Sequence, residues 1–434
     1  MSDTSNGDDV AVVGGGPAGL MAAEVLANAG ARVVIYERMP SLGRKFLLAG
    51  RGGLNLTHSE PLEAFLGRYG AAQTALAPAI RAFDPTALRE WCAGLGQTTF
   101  EGSSGRVFPK SMKTSPLLRA WLRRLADRGV AVRLRHRFTG WREGKLLLAT
   151  PEGELAVAAK AVVLALGGAS WPQLGSDGGW TAAVAAQGVL VRPLRAANSG
   201  LLVTWSEILR TRFAGAPLKR IALSYGAATE RGEAVITATG IEGGAVYGIG
   251  RHARAALETG EPFVVTLDLR PDESAEQIVR RLERPQGKRS LKEHLRRQLN
   301  LAPAAIGLIQ EAARAEEVSA RDWERLSRLI KAVPLTVRGS APIGRAISTA
   351  GGIALEEVDA DFMLKKMPGV LVAGEMLDWE APTGGYLLQA SLATGAAAGR
   401  GALAWISRAP RPQDAPPDRS PTAGGTPPDA LPAR

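Results

Sequence analysis

The feature that most constrains this chain is Gly14-Gly15-Gly16-Pro17-Ala18-Gly19, set between the apolar run Val10–Val13 and a helical pattern over residues 19–29. The run matches G-x-G-x-x-G, which alone is a weak signal. Its setting strengthens it: a buried strand before, a helix after, and Glu37 at the end of a second β-rich run over 32–36. That order is the start of a βαβ unit. Gly14 permits the tight turn, Gly16 lets a pyrophosphate approach the backbone, and Gly19 lets the helix close on the strand. The helix start, Pro17 and Ala18, then offers unpaired N–H groups to phosphate. Glu37, with Arg38 beside it, stands where ribose hydroxyls need an acceptor. The competing reading is an ordinary glycine turn in an α/β protein.

The loop does not separate FAD from NAD. Two further segments favour FAD. Gly43-Arg44-Lys45 and then Gly50-Arg51-Gly52-Gly53-Leu54-Asn55-Leu56-Thr57 follow soon after, and a glycine-rich loop there can lie against a flat ring while Asn55 and Thr57 offer it hydrogen bonds. Near the other end, Gly374-Glu375 follows a short apolar strand, and Pro382-Thr383-Gly384-Gly385-Tyr386-Leu387 opens a helix. A helix N-terminus facing the N1/O2 edge of a flavin stabilises the anionic reduced ring by about 0.3–2 kcal/mol. An N-cap and turn would use the same residues.

Length and patterning set the frame. The chain has 434 residues, enough for two or three domains, and is 45% apolar, enough for packed cores. Strand 161–166 feeds another glycine turn at Gly167, and helices are expected over 86–95 and 116–128. Residues 191–270 are strand-rich, 271–330 helix-patterned, 334–347 extended, and 384–406 a long helix rich in Ala and Leu. The fold class is α/β. Its divisions are a first cofactor-binding part over 1–191, a β-rich insert over 192–270, a helical insert over 271–333, a return strand over 334–344, a second cofactor-binding part over 345–408 and a disordered tail over 409–434.

Composition excludes several classes. The single cysteine, Cys92, forbids a disulfide framework and suits core packing. The four histidines are far apart, so no metal site is expected. Residues 1–9 lack the basic start and apolar core of a signal peptide, and no apolar run approaches the roughly 20 residues of a membrane span. A cytoplasmic protein without membrane contact is expected. The formal charge of +11 can attract polyanions or simply mark a basic surface.

Together the segments 12–19, 37–57, 164–179, 345–352 and 369–399 resemble the BaiN/RdsA-type family of NAD(P)/FAD-dependent oxidoreductases. The most distinctive wording is Gly43-Arg44-Lys45-Phe46-Leu47, Thr349-Ala350-Gly351-Gly352 and Gly374-Glu375-Met376-Leu377-Asp378. The resemblance implies a Rossmann-like (GR2-type) FAD-binding domain interrupted by a β-barrel-like domain and a small helical domain. It also implies FAD contacts at the glycine loop, Glu37, the 52–57 loop and the 374–389 segment, with Phe138 touching the adenine through its backbone. Many members carry cysteine in the Gly-Gly-x-Asn-Leu-Thr loop; this chain has Leu54 there.

The resemblance further implies hydride delivery from flavin to the β carbon of a conjugated carbonyl, with NADH or NADPH as transient donor. The substrate is a small molecule in one branch and a ribosomal uracil in another. Tyr386, Lys45 and Arg44 are candidate proton donors or charge stabilisers. An RNA partner has its own motive. Arg280, Arg281, Arg284, Lys288, Arg289, Lys292, Arg296 and Arg297 crowd the helical insert, although a solvated helix face would look the same and no aromatic platform accompanies them. A non-catalytic flavin sensor is the third reading. Finally, Gly248-Ile249-Gly250-Arg251-His252-Ala253 mimics a second nucleotide loop, but a barrel-edge turn is expected there, since no βα alternation follows.

Overall fold

The computed structural model describes residues 9–49 and 52–408. The expectations for Gly50 and Arg51 and for a disordered tail lie outside those residues. Val10–Val13, Val33–Glu37, Ala131–Leu134, Ala161–Leu164 and Val370–Val372 form one parallel sheet. Its order is 370–372, 161–164, 10–13, 33–37, 131–134. The three central strands are wholly buried, which is why they read as unbroken Val/Ile/Leu runs rather than alternating ones.

One edge strand comes from the far end of the chain, so the Rossmann unit is closed only when residues after 345 return. The helix Tyr386–Arg408 seals it by lying on Pro17–Asn28. The contact is close because it is bare: a Cβ on Gly395 would sit 2.3 Å from the Ala18 carbonyl oxygen. The Ala/Gly texture of this helix is therefore a packing requirement.

Between the halves lies a closed six-stranded barrel, in the order Leu201–Val203, Gly240–Glu242, Ala228–Thr237, Pro217–Tyr225, Phe263–Asp268, Val333–Ser340. Four helices (Ala275–Leu282, Leu291–Leu299, Pro303–Ala315, Trp323–Lys331) are inserted before its last strand. They share one core with it: Ile278, Leu282, Leu299 and Ile330 pack with Leu223, Ile236, Val265 and Leu267. The antiparallel pair Val191–Ala197 and Ser348–Ile353 carries the chain out to this unit and back. Fold class and architecture therefore match the α/β expectation with its barrel-like and helical inserts.

One reading is corrected. The turn expected at 248–253 falls instead in a helix, Gly244–His252, with its last residue, Ala253, at the C-cap. Ala245, Val246 and Ile249 put one apolar face into the barrel core, and that burial outweighs the poor helix propensity of three glycines. The strand-rich segment 192–270 also holds two further short helices, Glu207–Phe213 and Arg254–Thr259.

Candidate cofactor groove and substrate cleft

The glycine loop has the geometry its sequence demanded. Gly14 has φ +108°, and a Cβ there would lie 2.2 Å from the Ala165 carbonyl oxygen. A Cβ on Gly19 would lie 1.9 Å from the Gly14 oxygen, so helix and loop touch backbone to backbone. Gly16 differs. It caps Pro17–Asn28 with φ −82° and ψ −179°, and a Cβ there would meet nothing within 4 Å. No side chain caps this helix and no acidic residue occupies its first turn. Its free N–H donors face an open groove, as an anion site requires.

Glu37 reaches back to the loop, accepting from Gly15 N–H at 2.7 Å and Met39 N–H at 2.8 Å. Burial pushes its carboxyl above the usual range, against the pull of those two bonds. Arg38 bridges to Asp177 at 2.6 Å. Burial alone would raise the Asp177 carboxyl, but Arg38 and the Gly179 N–H hold it below its ordinary value. Gly43, Arg44, Lys45, Phe138 and Gly167 complete the groove walls.

The groove opens into a larger cleft of about 1950 Å³ between the Rossmann unit and the barrel. Pro17, Lys45, Glu375 and Ser391 line both spaces. At this junction the Lys45 ammonium donates to Ser170 Oγ and Glu375 Oε2, each at 2.6 Å, while Glu375 Oε1 accepts from Thr349 N–H at 2.8 Å. One small network thus joins four chain segments. Gly374 (φ +75°) passes so close to the loop helix that a Cβ would lie 2.8 Å from Ala18 Cβ. Gly385 (φ +98°) rests on the Thr57 backbone, where a Cβ would lie 2.5 Å from Thr57 Cα. Gly384, Gly385, Leu387 and Asn55 line the cleft.

FAD fits this construction on two observations. The groove has an uncapped helix N-terminus over open space at Gly16. Further along, Arg44 Nε and Asn55 Oδ1 are buried without a hydrogen-bond partner among the described residues, a costly condition that a polar ligand relieves.

Other residues of the expected set are placed differently. Leu56 and Thr57 are fully buried, with the Thr57 hydroxyl unpartnered beneath Gly385. Gly53 (φ +113°) packs on Met112, and Gly52 has open space around it. None of these four lines the groove or the cleft. Tyr386 is 4% exposed; its ring stacks on His58 and its hydroxyl donates to Glu60 Oε1 at 2.5 Å. Burial, and then the Glu60 carboxylate, raise the Tyr386 phenol well above its ordinary value. Cys92 is buried with its thiol pushed up to about 12 by burial. Among the described residues no group of three or more His, Cys, Asp or Glu could hold a metal ion.

The sequence did not single out the cleft's far wall. Tyr247 and Arg251 face it from the helix Gly244–His252, and Lys219 and Arg220 from a barrel strand. Arg251 had appeared only inside the 248–253 loop mimic, and Lys219, Arg220 and Tyr247 carried no signal beyond their place in a strand-rich stretch. Ser170 and Thr349 lay inside segments already noted, without a stated role.

Groove, split sheet and closing helix define the class, an FAD-dependent oxidoreductase built on a two-part Rossmann domain. More narrowly, the chain belongs to the family described as HI0933-like protein Rossmann domain, whose family model matches residues 8–401. Among curated relatives it is 29% identical to the 3-dehydro-bile acid delta(4,6)-reductase of Clostridium scindens, covering 91% of this chain and 98% of that protein. It is 24% identical to the ribosomal RNA dihydrouridine synthase of Escherichia coli, over 88% of this chain and 94% of that one. Of solved structures, the 3-ketosteroid delta1-dehydrogenase from Sterolibacterium denitrificans shares the fold, with TM-score 0.52, 14% identity, and coverage of 92% of this chain and 100% of that chain.

Proposed function

We propose that this protein is an NAD(P)H-dependent reductase of a conjugated carbon–carbon double bond in a small molecule. The observation that carries the reading is the cleft of about 1950 Å³ that opens from the cofactor groove at Lys45, Glu375 and Ser391. It holds a polycyclic substrate with room for a nicotinamide to visit in turn. The similarity to a bile-acid delta(4,6)-reductase over nearly the whole chain supports it.

When bound, FAD supplies hydride transfer to the electron-poor alkene carbon. The chain's residues bind and orient. Gly14–Gly19 and the helix behind them hold the pyrophosphate, Glu37 the ribose, and the Gly384–Gly385 turn the ring. Lys45 is the cation at the junction, held in place by Glu375 and Ser170, and stabilises negative charge that develops there. Arg44 serves the phosphate side, where it lines the groove. Tyr386, committed to Glu60, holds the start of the closing helix and is not assigned the proton donor. Among the described residues no helix is long and apolar enough to cross a membrane.

The test is anaerobic reduction of the FAD-loaded protein by NADH and NADPH, followed by reoxidation with 4-androstene-3,17-dione and related enones. Failure of both nicotinamides to bleach the flavin, or of every enone to reoxidise it, would overturn the reading. A second reading, reduction of uridine in ribosomal RNA, has one specific observation behind it. Arg280, Arg284, Lys288, Arg289, Lys292 and Arg297 are all exposed on the helical insert. Dihydrouridine mapping by mass spectrometry in a deletion strain decides it, since an unchanged profile refutes it. Flavin that binds but resists both nicotinamides would point to a sensor.

A further inference from the structure

We infer that the barrel wall of the cleft carries a subsite for a substrate anion, with Lys219 and Arg220 as its specificity-determining residues and Arg251 beside them. The inference deepens the small-molecule reading and rests on it for the substrate: an enone bearing a carboxylate or phosphate remote from the reacting bond.

The strand Pro217–Tyr225 pairs Leu218 with Ala234 and Ile221 with Gly232, so Lys219 and Arg220 together oppose the single residue Glu233. This is a β-bulge, a device that re-aims side chains beside functional sites. Arg220 has φ +52°, a conformation that costs a non-glycine residue energy and persists only where its surroundings impose it. The bulge lifts two exposed cationic side chains into the same cavity that Gly384, Gly385 and Lys45 line.

Charge pairing separates these residues from the other cations of the cleft, the strand residue Arg106 apart. Arg231 is bridged to Asp272, Arg254 to Glu380, and Lys45 to Glu375. Lys219, Arg220 and Arg251 have no carboxylate within 4.0 Å among the described residues, although exposed Glu233 shares their wall and Glu230 is held by His252 at 3.4 Å. Among the described residues Arg251 donates only to the Arg68 carbonyl, at 3.0 Å. A barrel that sacrifices strand regularity to present unpaired cations beside a flavin site is arranged to receive an anion.

The experiment uses the FAD-loaded full chain and two probes with the same ring enone, 3-oxochol-4-en-24-oate and neutral 4-androstene-3,17-dione, with sodium sulfate as a third. Binding is read calorimetrically and turnover by KM and kcat. The expected result is that the acid binds about tenfold more tightly than the neutral steroid. K219A/R220A abolishes that preference and weakens sulfate binding, while K219R/R220K restores both. The effect falls on KM for the acid more than on kcat, and it shrinks with added salt. The proposal is overturned if wild type shows no preference for the acid, or if K219A/R220A leaves acid and sulfate affinity within twofold. Loss of sulfate binding in K219A/R220A with neither steroid reduced would uphold the anion subsite and overturn the steroid-like enone reading instead. If an RNA oligonucleotide, not the acid, loses affinity in K219A/R220A, the commitment to a small anion is overturned.

Discussion

Replacing Gly16 with Val isolates cofactor binding from folding. Gly16 has φ −82° and ψ −179°, a region open to any residue, and a Cβ there would meet nothing within 4 Å. The apo fold should tolerate the change, at a cost of about 0.5–1 kcal/mol for a poor N-cap residue. The space the valine fills is where a phosphate oxygen must come to within about 2.9 Å of a backbone nitrogen. Two charge-assisted bonds of roughly 1.5–3 kcal/mol each are then denied, together about 3–6 kcal/mol, or roughly a 10²–10⁴-fold loss of FAD affinity. The assay pairs FAD stoichiometry after purification and calorimetric titration with melting of both apoproteins, which removes the stabilisation that bound ligand itself confers. Gly19→Ala is the contrast, since its Cβ would lie 1.9 Å from the Gly14 oxygen; it should lower the apo melting temperature as well. Stoichiometric FAD in Gly16→Val would refute the placement of the pyrophosphate, and an apo Gly16→Val protein that fails to fold would refute the claim that this glycine is spared for the ligand.

Four further outcomes are expected. Gly385→Ala should cost more than about 2 kcal/mol and strip the flavin, because it combines φ +98° with a Cβ 2.5 Å from Thr57 Cα; a normal melt with full FAD occupancy would contradict this. Lys45→Met should destabilise the holoprotein by about 1–3 kcal/mol by taking the ammonium from half-buried Glu375, read by thermal melting and by flavin content. Tyr386→Phe should cost about 1 kcal/mol in denaturant unfolding through loss of the Glu60 bond, yet leave the solvent isotope effect on turnover unchanged; a changed isotope effect would return the phenol to the proton path. Asp9 has its carboxyl lowered to about 2, where burial opposes but Lys160 and Arg32 prevail. Its folded value lies below the ordinary one near 3.8, so its stabilisation is present above that pH and is lost as pH falls toward 2. Asp9→Asn should therefore lower the melting temperature at pH 7, with the gap from wild type closing between pH 4 and 2.

Much of this molecule was legible because local rules and tertiary need agreed. Val10–Val13, the glycine loop and Glu37 each have one good structural answer, and a strand buried on both faces advertises itself by an unbroken apolar run. Legibility failed where burial outweighed propensity. Gly248 and Gly250 read as a turn, but Ala245, Val246 and Ile249 needed the barrel core, so the segment is helical. Tyr386 read either as a candidate acid, for its hydroxyl near the expected ring, or as a residue packing at a helix start. The turn of the helix sends its ring into the aromatic cluster of His58 and Phe65 and its hydroxyl to Glu60, a choice that depends on segments far away in the chain.

By itself, then, the sequence determined the chemistry of close approach: which glycines must lack a side chain and where an uncapped helix N-terminus opens onto a groove. Those are steric demands written within a few residues of one another. Only the tertiary structure decided what stands across the cleft from the cofactor groove. Lys219, Arg220, Tyr247 and Arg251 come from barrel segments distant in sequence from both cofactor motifs. A bulge, a helix packed on a core and the return of the chain at residue 345 bring them to one cleft. Long-range packing of that kind leaves no periodicity in the chain to read.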